Sequence, residues 1–128
     1  MFQQDYLLRQ IRALTEALAR LTTGRRADLA QVEAVTQGAI GLNLDVAVQL
    51  SAERLIALLT TGEGLDASRC LILGLALGLR SRVEGADGDA LAERAAVLIE
   101  AALVARPALA EADVLEVLRV LREPEDPR

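Results

Sequence analysis

Apolar residues recur along this chain at the spacing of α-helices, and the longest uninterrupted apolar run lies near the middle. Residues 70–79 read Cys-Leu-Ile-Leu-Gly-Leu-Ala-Leu-Gly-Leu, and they lie between Arg69 and Arg80 with no charged side chain on any helical face. A helix that is apolar all round is buried on several sides or lies in lipid. Because a membrane crossing needs about 20 such residues, the pattern predicts a buried central helix, and Asp66 is placed to cap its start.

A second helix is predicted after the polar turn at residues 85–89, and it runs to about Ala105. Pro107 ends this helix, because the residue before a proline avoids the helical region. Its apolar positions recur at the helical period, and they are Leu91, Ala95, Leu98 and Ala102.

Gly74 and Gly78 lie four residues apart, on one face of the central helix. Each glycine costs about 1 kcal/mol relative to alanine in a helix interior. We therefore expect another helix to approach this face too closely for a side chain.

The two helices together resemble one tetratricopeptide repeat. Ala95, Ile99, Ala102 and Pro107 match the small, large, small and proline positions of that repeat's second helix, and Leu77-Gly78 is similar to the leucine–glycine pair of its first. The tryptophan and tyrosine positions of the repeat are absent, the loop at residues 86–90 is longer, and there is a single copy. The resemblance implies an antiparallel helical hairpin over about residues 67–106.

Four other segments are predicted from the same periodicity. The clearest is an amphipathic helix over residues 3–21. A second helix runs from Arg25-Arg26 to about Ile40, and a third follows Ser51, which caps it. The last helix covers residues 108–122. Residues 42–50 alternate between apolar and polar in the manner of a strand. Because a single strand has no partner in so helical a chain, we predict a loop with a short helical turn there.

Composition fits a chain with an aliphatic core. Hydrophobic residues make up 52% of the 128 residues and aromatic residues only 2%, so the core must consist of leucine, alanine, valine and isoleucine. The predicted fold class is all-α, an antiparallel array of about five to six helices around the hairpin. We expect a single all-helical domain over residues 1–122 and a flexible acidic tail at 123–128.

Charge argues against nucleic acid and against secretion. The net charge is −5, and the basic residues, all of them arginine, are dispersed among acids, so no basic stripe of the kind that nucleic acid needs is present. Cys70 is the single cysteine, which fits a reducing cytoplasm. Since no basic stretch precedes an apolar segment at the N-terminus, we expect a cytoplasmic protein with no membrane span.

Few groups suited to catalysis are available. The chain has no histidine, no phosphate-binding glycine loop and no nucleophile elbow, so no catalytic, cofactor-binding or metal residue is predicted. Glu84, Asp87 and Asp89 are an alternative calcium cluster, but they lack the spacing of a calcium-binding loop. Ending and capping helices is the commoner use of such residues.

Two hypotheses about function remain. The first is a helical protein–protein interaction or self-association module without catalytic activity, in which Phe2, Tyr6 and Arg9 bind a partner or a second copy, because aromatic anchors dominate interfaces. The alternative is a small-ligand binder or enzyme in which Arg9, Arg12 or Arg69 faces acids in a groove between helices. The simplest interpretation of the first helix is that it only faces the core.

Nearly the whole chain resembles a family of small bacterial all-helical proteins of unknown function. The resemblance lies in the opening motif at residues 1–11 (MFQQDYLLRQI) and in the segments 42–45 (LNLD) and 50–53 (LSAE), ahead of a single tetratricopeptide-like hairpin. It implies a fold but no activity and no site residues.

Overall fold

A computed structural model describes residues 2–22, 29–83 and 88–122, which form seven α-helices, one 3-10 turn and a two-stranded hairpin. The helices are α1 (Phe2–Thr22), α2 (Leu29–Ile40), α3 (Leu44–Ala47), α4 (Ala52–Leu58), α5 (Ala67–Val83), α6 (Gly88–Ala105) and α7 (Ala112–Arg122). Strands β1 (Thr60–Thr61) and β2 (Gly64–Leu65) pair antiparallel. The all-α fold class is confirmed.

Helix α5 is the centre of the fold. Every residue from Cys70 to Leu79 is buried, and α5 packs against α1, α2 and α6. The predicted cap is present: a carboxylate oxygen of Asp66 accepts a hydrogen bond from the backbone N–H of Arg69 at 3.2 Å. The apolar run is therefore a helix covered by neighbours on all sides, as its composition predicts.

Helices α5 and α6 share the most extensive interface of the fold. The four apolar positions predicted on α6 are all buried: Leu91, Ala95, Leu98 and Ala102. A Cβ added at Gly74 would lie 2.8 Å from Cγ1 of Ile99 and 3.2 Å from the carbonyl oxygen of Ala95. One at Gly78 would instead lie 3.1 Å from Cδ1 of Leu121 on α7. The predicted close approach is thus made to α6 at one glycine and to α7 at the other.

The segment between α2 and α5 is made of short capped elements. Gly41 ends α2 with a positive φ of 79°, a conformation that glycine adopts without steric cost. Asn43 caps α3 and Ser51 caps α4 through their side-chain oxygens. Residues 42–50 therefore hold a helical turn and no strand. Residues 60–65 form a small hairpin, in which Thr60 pairs with Leu65.

The last helix begins later than predicted. Residues Pro107–Leu109 form a 3-10 turn, with the N–H of Leu109 bonded to the carbonyl of Arg106 at 3.0 Å, and α7 starts only at Ala112. The tight turn buries Leu109 and reverses the chain, so α7 packs back against α6. On α7, Val114, Val117 and Leu121 are buried and Leu118 is half-buried.

Among the residues described above, no helix combines the length and the apolar character that crossing a bilayer requires.

The glycine contacts yield a stability prediction. Gly74→Ala should lower the free energy of unfolding by about 1–3 kcal/mol, because the new methyl group meets Ile99 and the α6 backbone. Gly78→Ala should change it by less than about 1 kcal/mol, because the methyls of Leu121 can shift and alanine itself favours the helix. Urea denaturation measures both changes.

Gly62→Ala is the matched control, since a Cβ there has no atom within 4 Å. Equal decreases in the free energy of unfolding for Gly74→Ala and Gly78→Ala would contradict the close approach of α6 at Gly74.

Candidate partner-binding site

The predicted partner residues lie along the first turns of α1. Tyr6 is 40% exposed, and its hydroxyl oxygen lies 3.3 Å from where a Cβ of Gly38 would sit on α2. Arg9 follows almost one turn later and is exposed. The side chain of Phe2 lies outside the described residues. The helix therefore brings Tyr6 and Arg9 to one side, with the tyrosine ring partly supported by α2.

The opposite side of α1 fixes the orientation of this site. Leu7, Ile11 and Leu14 are buried in the common core, and Thr15 satisfies its hydroxyl locally by donating to the carbonyl of Ile11 at 2.8 Å. Arg12 is exposed on the outer side. Because apolar and polar positions alternate at the helical period, burial of the leucine stripe leaves Tyr6 at the edge and Arg9 in solvent.

Arg69 binds two groups of its own chain. Its guanidinium donates from Nε to the carbonyl oxygen of Ala39 at 2.8 Å and pairs with Asp66 at 2.6 Å. It thus fastens the end of α2 to the start of α5, while Arg9 and Arg12 lie exposed on α1. Of the three arginines in the ligand-binding alternative, Arg69 therefore faces an acid, its near neighbour Asp66.

Two further arginines also hold irregular backbone in place. Nη1 of Arg94 on α6 donates to the carbonyl oxygens of Val48 at 2.6 Å and Leu50 at 3.0 Å. Arg80, whose side chain is 17% exposed, pairs with Asp45 of α3 at 2.7 Å. Half-buried arginines here bind carbonyl and carboxylate oxygens of their own chain, which is a structural use of the charge.

Buried polar groups give no sign of a ligand. Where side chains are described, every buried nitrogen or oxygen atom has a hydrogen-bond partner; Ser81, for example, donates to the carbonyl of Gly78 at 2.6 Å. In the same residues no group of three potential metal ligands comes together. Of the alternative calcium cluster, Asp89 is exposed at the start of α6, whereas Glu84 and Asp87 lie outside the described residues.

Cys70 is buried in the α5–α6 interface. Its thiol lies 3.2 Å from the carbonyl oxygen of Leu98, to which it donates a hydrogen bond. Burial, with a smaller contribution from the negative charge of Asp66, raises the pKa of the Cys70 thiol from 9.0 to about 12. Since the thiolate is the nucleophilic form, the group is held in its unreactive state, in agreement with the predicted buried thiol.

Sequence reasoning missed the most exposed aliphatic side chains. Val104 is 83% exposed and Leu58 62%, followed by Val46 at 48% and Leu115 at 47%. Val104 falls at the spacing of Glu93 and Glu100 on α6, so its helical position alone could have placed it on the outer face. Leu58 carries no such signal, because α4 is too short for a reliable period.

Comparison with known proteins identifies no relative: no family model matches the chain, and no curated protein or solved structure shows significant similarity to it.

The bonds made by Arg94 predict a cost for removing it. Arg94→Met should lower the free energy of unfolding by about 1.5–3 kcal/mol, because the carbonyls of Val48 and Leu50 lose a charged donor. Arg119→Met should lower it much less, because the ion pair of Arg119 with Glu116 is exposed. Urea unfolding of both variants tests the difference. Equal decreases in the free energy of unfolding would mean that the bonds from Arg94 to the carbonyls stabilise the fold no more than an exposed ion pair does.

The raised pKa of Cys70 predicts alkaline sensitivity. Between about pH 9 and about pH 12 the folded chain keeps a thiol proton that the unfolded chain gives up, so stability falls as the pH rises, by at most about 1.4 kcal/mol per pH unit. Cys70→Ala should remove this slope. Urea unfolding from about pH 8 to about pH 10.5 measures the free energy of unfolding of both proteins as a function of pH. If this free energy falls equally steeply in the wild type and in Cys70→Ala, the thiol is not shielded.

Proposed function

We propose that the protein is a helical protein–protein interaction module whose partner binds α1 at Phe2, Tyr6 and Arg9. The observation that carries this proposal is the placement of Tyr6, 40% exposed at the edge of the core, with exposed Arg9 on the same side. Tyrosine and arginine are the residue types that contribute most to binding at interfaces. A rigid helix that presents both is suited to contact with another protein.

The distribution of the other arginines supports an interaction module over the ligand-binding alternative. Arg69 and Arg94 are bound to carbonyl oxygens of their own chain, and Arg80 is paired with Asp45. A pocket that uses arginine to hold an anionic ligand needs guanidinium groups with their donors directed at the pocket. The alternative, in which Arg9, Arg12 or Arg69 faces acids in a groove, therefore has less support.

We further propose that α5 and α6 form a tetratricopeptide-like hairpin and that the chain belongs with the small bacterial helical proteins it resembles. The buried small residues Ala95 and Ala102 on α6 support this, as does the tight contact of α6 with Gly74. The proposed location is the cytoplasm, where a free thiol such as Cys70 stays reduced.

Affinity capture from native lysate tests the α1 surface. The wild-type chain should recover a protein partner that the double variant Tyr6→Ala/Arg9→Ala recovers about tenfold less, since each truncation removes more than about 1 kcal/mol at a binding hot spot. Quantitative mass spectrometry of the captured proteins gives the ratio. Tyr6→Phe is the matched control, and it should retain the partner because the exposed ring is kept.

Circular dichroism must show equal helicity and melting for all three chains. If the double variant captures the same proteins in the same amounts as the wild type, the α1 surface is not the binding site.

A further inference from the structure

Tyr6 lies beside the last turn of α2 at a glycine. Gly38 is exposed, and the hydroxyl oxygen of Tyr6 lies 3.3 Å from the position that a Cβ of Gly38 would occupy. Outside α2 itself, no other described residue comes within 4 Å of that position. Glycine is less favourable than alanine inside a helix, and here its missing side chain leaves the room that the hydroxyl of Tyr6 needs.

The backbone of this last turn is fixed by a residue of another helix. The last four carbonyl groups of an α-helix have no partner within the helix, and the carbonyl of Ala39 is one of them, since α2 ends at Ile40. Nε of Arg69, in the first turn of α5, donates a hydrogen bond to it at 2.8 Å. A cation is also favourable at the negative end of the helix dipole. This bond ties the residue next to Gly38 to α5.

Arg69 is itself held in one orientation by Asp66. Its Nη1 donates to one carboxylate oxygen at 2.6 Å, and the other carboxylate oxygen accepts a hydrogen bond from the backbone N–H of Arg69 at 3.2 Å. The guanidinium is planar and rigid, so its donors have a fixed relative direction. Because two of them are bound to two different acceptors, the position of the Ala39 carbonyl relative to α5 is set.

We propose that the last turn of α2, held by Arg69, sets the position of the Tyr6 ring. Arg69 is then a positioning residue for the α1 surface, because movement of this turn moves the support of the Tyr6 hydroxyl. An anchor that is already held in its binding position loses less conformational freedom when the partner arrives. The consequence for binding rests on the proposed function of α1, whereas the position of the ring can be measured without any partner.

Quenching of tyrosine fluorescence by acrylamide tests the position of the ring in the full chain. Tyr6 is the single tyrosine and there is no tryptophan, so the signal reports this side chain alone. Gly38→Val should raise the quenching constant, because its added atoms need the space beside the hydroxyl. Arg69→Met should raise it as well, because the carbonyl of Ala39 loses its donor and the turn is no longer held. The rise should reach up to about 2.5-fold, the ratio of full exposure to the present 40%.

Gly62→Val and Arg94→Met are the matched controls. A Cβ at Gly62 has no atom within 4 Å, so the same substitution there does not press on Tyr6. Arg94 also donates to carbonyl oxygens, those of Val48 and Leu50, and its removal should destabilise the chain without moving the tyrosine. Both controls should keep the wild-type quenching constant, which separates positioning of the ring from a general loss of stability. Circular dichroism must show equal helicity for all variants under the conditions of the measurement.

Capture of the partner measures the consequence for binding. Gly38→Val should recover about two- to tenfold less partner than the wild type, because the displaced ring must leave a favourable rotamer in order to bind. Combined with Tyr6→Phe, the same substitution should have a much smaller effect, since the hydroxyl that meets the new side chain is gone.

An unchanged or lower quenching constant in Gly38→Val or in Arg69→Met overturns the inference, and so does an equal rise in the two controls. A raised constant with unchanged capture supports the control of Tyr6 by α2 and contradicts the proposed binding role of Tyr6. The inference and the proposed function therefore fail separately.

Discussion

The structure depends on the close approach of α5 and α6 at Gly74. There is no room for a side chain between Gly74 and Ile99, and the thiol of Cys70 reaches the backbone of α6 at Leu98. Because α5 has no polar face, packing against α6 covers only part of it. The chain must therefore wrap α1 and α2 around the remaining surface. The arrangement of the other helices follows from the need to cover this one apolar helix.

Arginine side chains hold in place segments that have little apolar surface of their own. The α3 helix has four residues, too few to be stable through helix propensity, and Arg80 and Arg94 bind to it or to the turn that follows. Arg69 holds the end of α2 in a similar way. These guanidinium groups would lose their present partners if they were to bind a ligand, which makes catalysis or anion binding at these positions energetically unfavourable.

The parts of the fold that could be predicted from the sequence are those set by local physics. The apolar run at residues 70–79, the caps at Asp66 and Ser51 and the buried stripe of α6 depend on residues within one or two turns of each other. The late start of α7 could not be predicted, because the 3-10 turn at Pro107–Leu109 is stabilised by the burial of Leu109 in a core whose other residues are distant in the sequence. The same holds for the surface: Tyr6 has aromatic character that can be seen in the sequence, whereas exposure of Leu58 depends on which helix fails to cover it.

Association at the proposed α1 surface would combine a modest apolar area with charge. Tyr6 is 40% exposed and lies beside Gly38, so covering its ring would bury only part of the side chain anew. Much of the specificity would then come from exposed Arg9, because a guanidinium binds a carboxylate in a defined geometry. Salt should therefore weaken an interaction in which Arg9 meets an acidic partner.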